Sequence, residues 1–189
     1  MTVAQHILAV MTPELSSSDL ATCGWPGAIQ VNTRADVRHI LQHVGVDEPS
    51  GTWTGGGCPQ HGRSLGTDVD LADLGEMHRQ SAGLSDMTWF PESAAADTYL
   101  RLIREWHADG ANQPHHHPFD WWAERVKTMW SYIWSANCRF ITEIIEQPAR
   151  SRGSAGLLIA SFEHNSSTHG LEQPHIHNLM PLKRELSED

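Results

Sequence analysis

The chain has 189 residues, a formal net charge of −10 and 39% apolar residues, which favours a single domain over 1–189 with a substantial core. Its 13 Lys and Arg residues are too few and too scattered for a non-specific nucleic-acid binder, because phosphate contacts need clustered cations. No apolar run approaches the roughly 18 residues of a membrane span, so no membrane partner is expected.

Neither the cysteines nor the first residues indicate secretion. The three cysteines lack the paired spacing of a metal site and are an odd number for a disulfide framework. The N-terminal residues lack the basic region that begins a signal peptide. A cytoplasmic, reducing location is therefore expected.

The first half of the chain predicts helices joined by loops. Residues 33–44, 69–80 and 91–109 carry apolar side chains at helical spacing. Residues 51–57, Gly-Thr-Trp-Thr-Gly-Gly-Gly, predict a loop. This loop lacks the Lys-Ser/Thr pair of a phosphate-binding loop, so glycines that permit positive φ are favoured over a phosphate cradle.

The longest predicted element is an amphipathic helix over residues 120–147. Apolar side chains repeat every three or four positions along it, and Pro148 is expected to end it. Trp122, Trp130 and Trp134 lie on the apolar stripe. Because the stripe keeps the helical period, these indoles are predicted to pack against the sheet rather than to stack on bases.

Two strands are predicted near the C-terminus, each short, apolar and leading into or out of histidines. Residues 157–162 run directly into Glu163 and His164, and residues 175–180 are ended by a proline. The sequence therefore predicts an α+β fold, with a small antiparallel sheet and helices packed on one face of it.

Three histidines on these strands form a predicted metal site. His175 and His177 share a face because strand side chains alternate, and an antiparallel neighbour would bring His164 to the same face. Three imidazoles would bind one divalent metal ion and leave positions open for substrate. The sequence leaves Mg, Mn, Zn, Ni, Cu and Fe open. The alternative is that a His-x-His pair arises by chance in a chain with 13 histidines.

The same segment resembles a known motif. Residues 156–167 read Gly-Leu-Leu-Ile-Ala-Ser-Phe-Glu-His-Asn-Ser-Ser, and residues 172–177 read Glu-Gln-Pro-His-Ile-His. Over about 153–181 the chain resembles conjugative relaxases of plasmid mobilisation, members of the HUH endonuclease superfamily, in a truncated or divergent form. The resemblance implies metal-dependent nicking and transfer of single-stranded DNA, with His164, His175 and His177 as the ligands.

The nucleophile of that family is not evident in this sequence. Relaxases attack DNA with a tyrosine close to the N-terminus, whereas residues 1–98 contain none. We therefore predict that the chain does not nick DNA through an N-terminal tyrosine. Tyr99 and Tyr132 remain as catalytic candidates, although the helical pattern assigns both to the apolar sides of helices.

Two alternatives to a relaxase stay open: a divergent three-histidine enzyme that acts on a small molecule by hydrolysis or oxidation, and a non-catalytic metal-binding relaxase remnant. Further side chains near the motif are candidates for orienting the ligands. The three consecutive histidines at residues 115–117, before the long helix, are also compatible with an exposed polar turn. The candidates are Glu163, His169, Glu172, His115, His116 and His117.

Overall fold

One antiparallel sheet forms the centre of the structure. The protein is represented by a computed structural model that describes residues 28–32, 50–112, 119–151, 153–166 and 172–182. The described residues form five strands: β1 Ala28–Asn32, β2 Thr52–Trp53, β3 Leu84–Phe90, β4 Ala160–Ser166 and β5 Glu172–Pro181. They lie in the order β1-β3-β5-β4-β2, and every neighbouring pair is antiparallel.

The helices lie between β2 and β4 in the sequence. They are α1 Leu71–Gln80, α2 Ser93–Asn112, α3 Phe119–Phe140 and a short α4 Gln147–Arg150, with a 3-10 turn at Cys58–His61 and a π-helical turn at Ile141–Glu146. Together with the antiparallel sheet they confirm the predicted α+β class. None of the helices in the described ranges has the length and hydropathy of a membrane span.

The predicted helices that fall in the described residues are helices in the structure, but their first and last residues differ from those predicted. The predicted helices over 69–80 and 91–109 correspond to α1 and α2, whereas the predicted helix over 33–44 lies outside the described residues. Pro148 does not end the long helix as predicted, because it lies in the first turn of α4. Proline removes one N–H donor from the helix at that point, and α4 ends two residues later at Arg150.

The sequence predicted two of the five described strands, β4 and β5. The strand predicted over 157–162 begins at Ala160 and continues through the histidine, and the one predicted over 175–180 extends to β5. The sequence did not predict β3, which pairs with β5 and lies next to the centre of the sheet.

One face of the sheet carries the larger apolar core. Met87 and Trp89 of β3 and Ile176 of β5 belong to it by strand alternation, and they share one hydrophobic cluster with Tyr99 of α2 and Ile133 of α3. We call this face the opposite face, because the histidines lie on the other one. The two long helices thus contribute to the core of the opposite face.

The other face, the histidine face, has a smaller core beside the histidines. Phe162 of β4 and Trp53 of β2 are buried there with Leu74 and Met77 of α1. The sequence analysis expected the helices on one face. Through this cluster, α1 shares its core with the histidine face, while α2 and α3 share theirs with the opposite face.

The tryptophan stripe of α3 packs on the core of the opposite face. Trp130 and Trp134 are half-buried and contact that cluster, and Trp130 lies 5.0 Å from Tyr99 between ring centroids. The side chain of Trp122 lies outside the described residues. For the two described indoles, the packing interpretation is confirmed over base stacking.

The glycine-rich loop is held by the chain itself. The N–H of Gly57 donates to the carbonyl of Leu157 at 2.9 Å, and that of Gly56 donates to the buried Glu146 carboxylate. A Cβ at Gly55 would lie 2.0 Å from the Leu157 carbonyl oxygen. Gly55 and Gly57 are therefore glycines because another backbone passes closely, and Gly56 is a glycine because the side chains of Glu146 and Arg150 do. None of the three has the positive φ that the sequence predicted. The N–H groups of Gly56 and Gly57 are occupied by these contacts and do not form a phosphate cradle.

Candidate metal centre

His164, His175 and His177 converge on the histidine face of the two predicted strands. The antiparallel register pairs His164 with His175 directly and Phe162 with His177. All three rings are buried, with 1%, 6% and 8% of their surface exposed, respectively. Strand alternation and the register together produce the cluster, as the sequence predicted.

The spacing of the three rings fits one metal ion. One nitrogen from each ring can be chosen so that all three lie within 4.8 Å of one another. Ligand nitrogens about 2.1 Å from a tetrahedral ion lie about 3.4 Å apart, so only small side-chain adjustments are needed. The cluster is therefore a candidate metal centre.

A carboxylate fixes the orientation of His177. Its Nδ1–H donates to Oδ2 of Asp86 at 2.7 Å, and the Thr88 hydroxyl donates to the same oxygen at 3.0 Å. Asp86 and Thr88 are themselves buried on the histidine face of β3. Because a carboxylate accepts and does not donate, the imidazole proton lies on Nδ1 and the Nε2 lone pair is available to a metal.

A backbone carbonyl does the same for His175. Its Nδ1–H donates to the carbonyl of Gln173 at 2.7 Å. The imidazole ring of His175 also stacks on the ring of Phe90, with ring centroids 5.3 Å apart and an interplanar angle of 27°. Both contacts restrict the ring, and the first leaves Nε2 as the metal-binding nitrogen.

The two fixed rings give a direct test of fit. Nε2 of His175 and Nε2 of His177 lie 3.1 Å apart, and both carry lone pairs when their protons are on Nδ1. Two lone pairs at this distance repel unless a cation lies between them. The donor set of three imidazoles suits Zn, Cu, Ni and Fe better than Mg, which prefers oxygen ligands. The residues present therefore fit a divalent transition metal.

Among the predicted orienting residues, Glu163 is the one whose side chain is described, and it does not lie beside the histidines. Glu163 alternates with His164 and pairs with Ile176, so it lies on the opposite face. Glu172 begins β5, and its side chain is not among those described. The remaining candidates, His169, His115, His116 and His117, lie outside the described residues.

The two tyrosines of the chain are not on the histidine face. Tyr99 is 6% exposed in the core of the opposite face, and burial raises its pKa to about 12. Tyr132 is 56% exposed on α3, so its predicted place in the core was wrong. The buried apolar side of α3 includes the next residue, Ile133, and Tyr132 points away from that side.

The sequence analysis missed Asp86 and Thr88. Their signal is a pair of polar residues two positions apart inside an otherwise apolar segment, which is what two polar groups on one face of a strand produce. No histidine or cysteine lies in β3, so its sequence does not indicate that the segment belongs to a metal site.

Comparisons with known proteins add no relative. No protein-family model matches the chain, and no curated protein matches it.

Proposed function

We propose that this chain is a metal-dependent enzyme of the relaxase type, which nicks single-stranded DNA at the three-histidine centre. The observation that carries the proposal is the convergence of three buried imidazoles, two of which have their metal-binding nitrogens fixed by neighbours. The resemblance of residues 156–177 to the relaxase motif supplies the substrate class. A divalent ion bound there would polarise a phosphoryl oxygen and stabilise the charge of the transition state.

The protein's own groups would prepare the centre for that chemistry. Asp86 and the Gln173 carbonyl hold the rings of His177 and His175, so little reorganisation is required when a ligand binds. Phe90, half-buried against His175, covers one side of that ring. Partial burial of this kind excludes water and strengthens electrostatic interactions at the site.

A second candidate, a three-histidine enzyme that hydrolyses a small molecule, is favoured by the positions of the tyrosines. Among the described residues neither Tyr99 nor Tyr132 lies on the histidine face. A tyrosine nucleophile needs to reach the phosphate held at the metal. Water is a nucleophile that requires no such residue, and direct hydrolysis forms no covalent intermediate between the protein and its substrate.

The test begins with the metal content of the purified protein and of His175→Ala. We expect about one equivalent in the wild type and loss of stoichiometric metal in the variant. His78→Ala, which removes an exposed histidine of α1, is the matched control and should retain the metal. Full occupancy in His175→Ala would contradict the assignment of the centre.

Activity is then measured on supercoiled plasmid and single-stranded oligonucleotides with each divalent metal. Nicking that requires wild-type histidines supports the relaxase-type function. An adduct that disappears in Tyr99→Phe or Tyr132→Phe would identify a tyrosine nucleophile and exclude the hydrolytic candidate. A metal-loaded protein without nicking or adduct would exclude the DNA substrate and favour the small-molecule enzyme.

A further inference from the structure

A buried polar network crosses the sheet directly behind the histidines. It consists of Thr54, Ser161, Asn178 and Asn137, and we call it the Asn178 network. Oγ of Thr54 and Oγ of Ser161 are 2.6 Å apart, and Ser161 donates to Oδ1 of Asn178 at 2.7 Å. Ser161, Asn178 and Asn137 are completely buried, beside the apolar core of the opposite face.

The side chain of Asn178 uses its full hydrogen-bonding capacity. Its Nδ2 donates to the Met87 carbonyl at 3.0 Å and to Oδ1 of Asn137 at 3.0 Å. Its Oδ1 accepts from Ser161 and, at 3.2 Å, from Nδ2 of Asn137. Both N–H donors and both acceptor positions of the Asn178 amide are therefore satisfied, by groups of β3, β4 and α3.

These contacts depend on one strand register. Asn178 pairs with Ser161 across β4 and with Met87 across β3. A slip of one residue would turn Asn178 to the histidine face and carry His177 to the opposite face, because side chains alternate. The slip would also leave the Asn137 amide buried without its partner, which is costly in an apolar core.

We propose that Asn178 is a positioning residue of the metal centre. Through its bonds to Ser161, Met87 and Asn137, it fixes the register of β5, so that His175 and His177 face His164. Apolar contacts would tolerate a register shift more readily, since Ile176 and Met180 lack directional bonds. The inference rests on the proposed metal-dependent function.

The test is the double variant Asn137→Leu/Asn178→Leu. Replacing both partners with apolar groups leaves no unpaired amide between them, and Ser161 keeps its contact with Thr54. The Met87 carbonyl then loses its side-chain donor, so we expect most but not all of the folding stability to be retained. We expect the Kd for Zn²⁺ to rise about tenfold or more, by analogy with lost orienting contacts. The absorption spectrum of the Co²⁺-loaded protein, which reports ligand geometry, should also change. Thr128→Val, at an exposed position of α3 outside the network, is the control and should change the Kd less than about twofold.

Register is measured separately by NMR, from cross-strand contacts between the backbones of His164 and His175. These contacts should be strong in the wild type and weakened in the double variant. A folded double variant with unchanged contacts and unchanged Kd would overturn the inference. A wild type that binds no metal would overturn the proposed function, and the NMR contacts would still decide the role of Asn178.

If the double variant does not fold, Asn137→Ala replaces it, because Asn178 then keeps its bonds to Ser161 and Met87. A rise of about threefold or more in the Kd for Zn²⁺ supports the inference; it is smaller than the tenfold of a lost contact to a ligand because Asn137 acts only through Asn178. Unchanged affinity and register in this variant would overturn it.

Discussion

Asp86 connects the chemistry of the centre to a strand that contributes no metal ligand. Its carboxylate receives both the Nδ1–H of His177 and the Thr88 hydroxyl, so the orientation of one ligand depends on β3. The second carboxylate oxygen is buried and has no hydrogen-bond partner among the described residues. A buried anion beside the histidines raises the electron density of the imidazole and stabilises a bound cation.

Removing this carboxylate should weaken metal binding. For Asp86→Ala we expect about a 10-fold to 100-fold rise in the Kd for Zn²⁺, because the ring of His177 loses its orienting acceptor. A competition titration against a chelator of known affinity measures the change. Glu163→Gln, which alters a carboxylate on the opposite face, is the control and should bind as the wild type does. Equal affinities for all three proteins would show that Asp86 does not support the centre.

Tyr99 gives a prediction that is independent of the metal. Burial raises its pKa from 10 to about 12, so the folded protein holds the phenol proton more tightly than the unfolded chain. This stabilisation is complete below pH 10 and is lost as the pH rises toward 12. Relative to Tyr99→Phe, the wild type should lose on the order of 1 kcal/mol of unfolding free energy between pH 8 and pH 11.

Urea unfolding at the two pH values measures that difference. Tyr132→Phe is the control, because the exposed side chain of Tyr132 should leave the pH dependence of the wild type unchanged. If Tyr99→Phe and wild type lose stability in parallel, Tyr99 is not buried in the folded protein.

At the residue scale, the sequence predicted the ligands but not what orients them. Alternation along β5 places two histidines on one face whatever the rest of the fold does, and the preceding strand supplies the third. The partner of His177 lies 91 positions earlier in the chain. No local pattern relates two residues at that separation, and only the order of the strands brings them together.

At the scale of elements, α3 contributes most to the core of the opposite face. Ile133 and Phe140 are completely buried, and the π-helical turn that follows adds Ile141 and Ile145. A π turn rotates the side chains that follow it relative to an α-helix. The apolar contacts of the long helix therefore continue beyond Phe140 without a break in the core.

Burial predicts how substitutions along α3 differ. Phe140→Ala should cost roughly 3–5 kcal/mol of unfolding free energy, as is usual for a completely buried aromatic residue. Trp130→Ala should cost less than that, because its indole is only half-buried. Chemical denaturation of the two variants measures the order, and a larger loss for Trp130→Ala would contradict the described packing.

Two glycines predict opposite effects of the same substitution. Gly55→Ala should destabilise the protein, because its Cβ would overlap the Leu157 carbonyl at 2.0 Å. Gly75→Ala should stabilise α1 by up to about 1 kcal/mol, since alanine favours the helix and the nearest atom is the flexible end of Arg79. Thermal unfolding compares them, and a neutral Gly55→Ala would mean that the two backbones are not in close contact.

The helices that the sequence predicted correctly are those with one apolar side. The helices α1, α2 and α3 repeat their apolar residues at the helical period, which is visible without tertiary information. The strand β3 is buried on both faces, yet it carries Asp86 and Thr88 on one of them. Polar residues that serve a site interrupt the apolar pattern that would otherwise predict the strand.

At the scale of the whole molecule, metal binding and folding should be linked. The ligands come from two strands and are brought together only by the folded sheet, so a metal that binds them stabilises the folded state. At a free concentration of 100 times the Kd, the expected gain is about 2.7 kcal/mol. Thermal unfolding with Zn²⁺ and with chelator measures it. His175→Ala should show no such gain, and an equal gain in both proteins would place the metal elsewhere.

The order of the strands also has a consequence for synthesis on the ribosome. The central strand β5 is the last described strand in the sequence. Its neighbours β3 and β4 each pair with β5 and not with each other. Until β5 has emerged, both neighbours have an exposed edge that is open to mispairing. We expect the nascent chain to remain without a continuous sheet until then. Two of the three ligands arrive with the same strand, so the metal centre and the sheet are completed in one step.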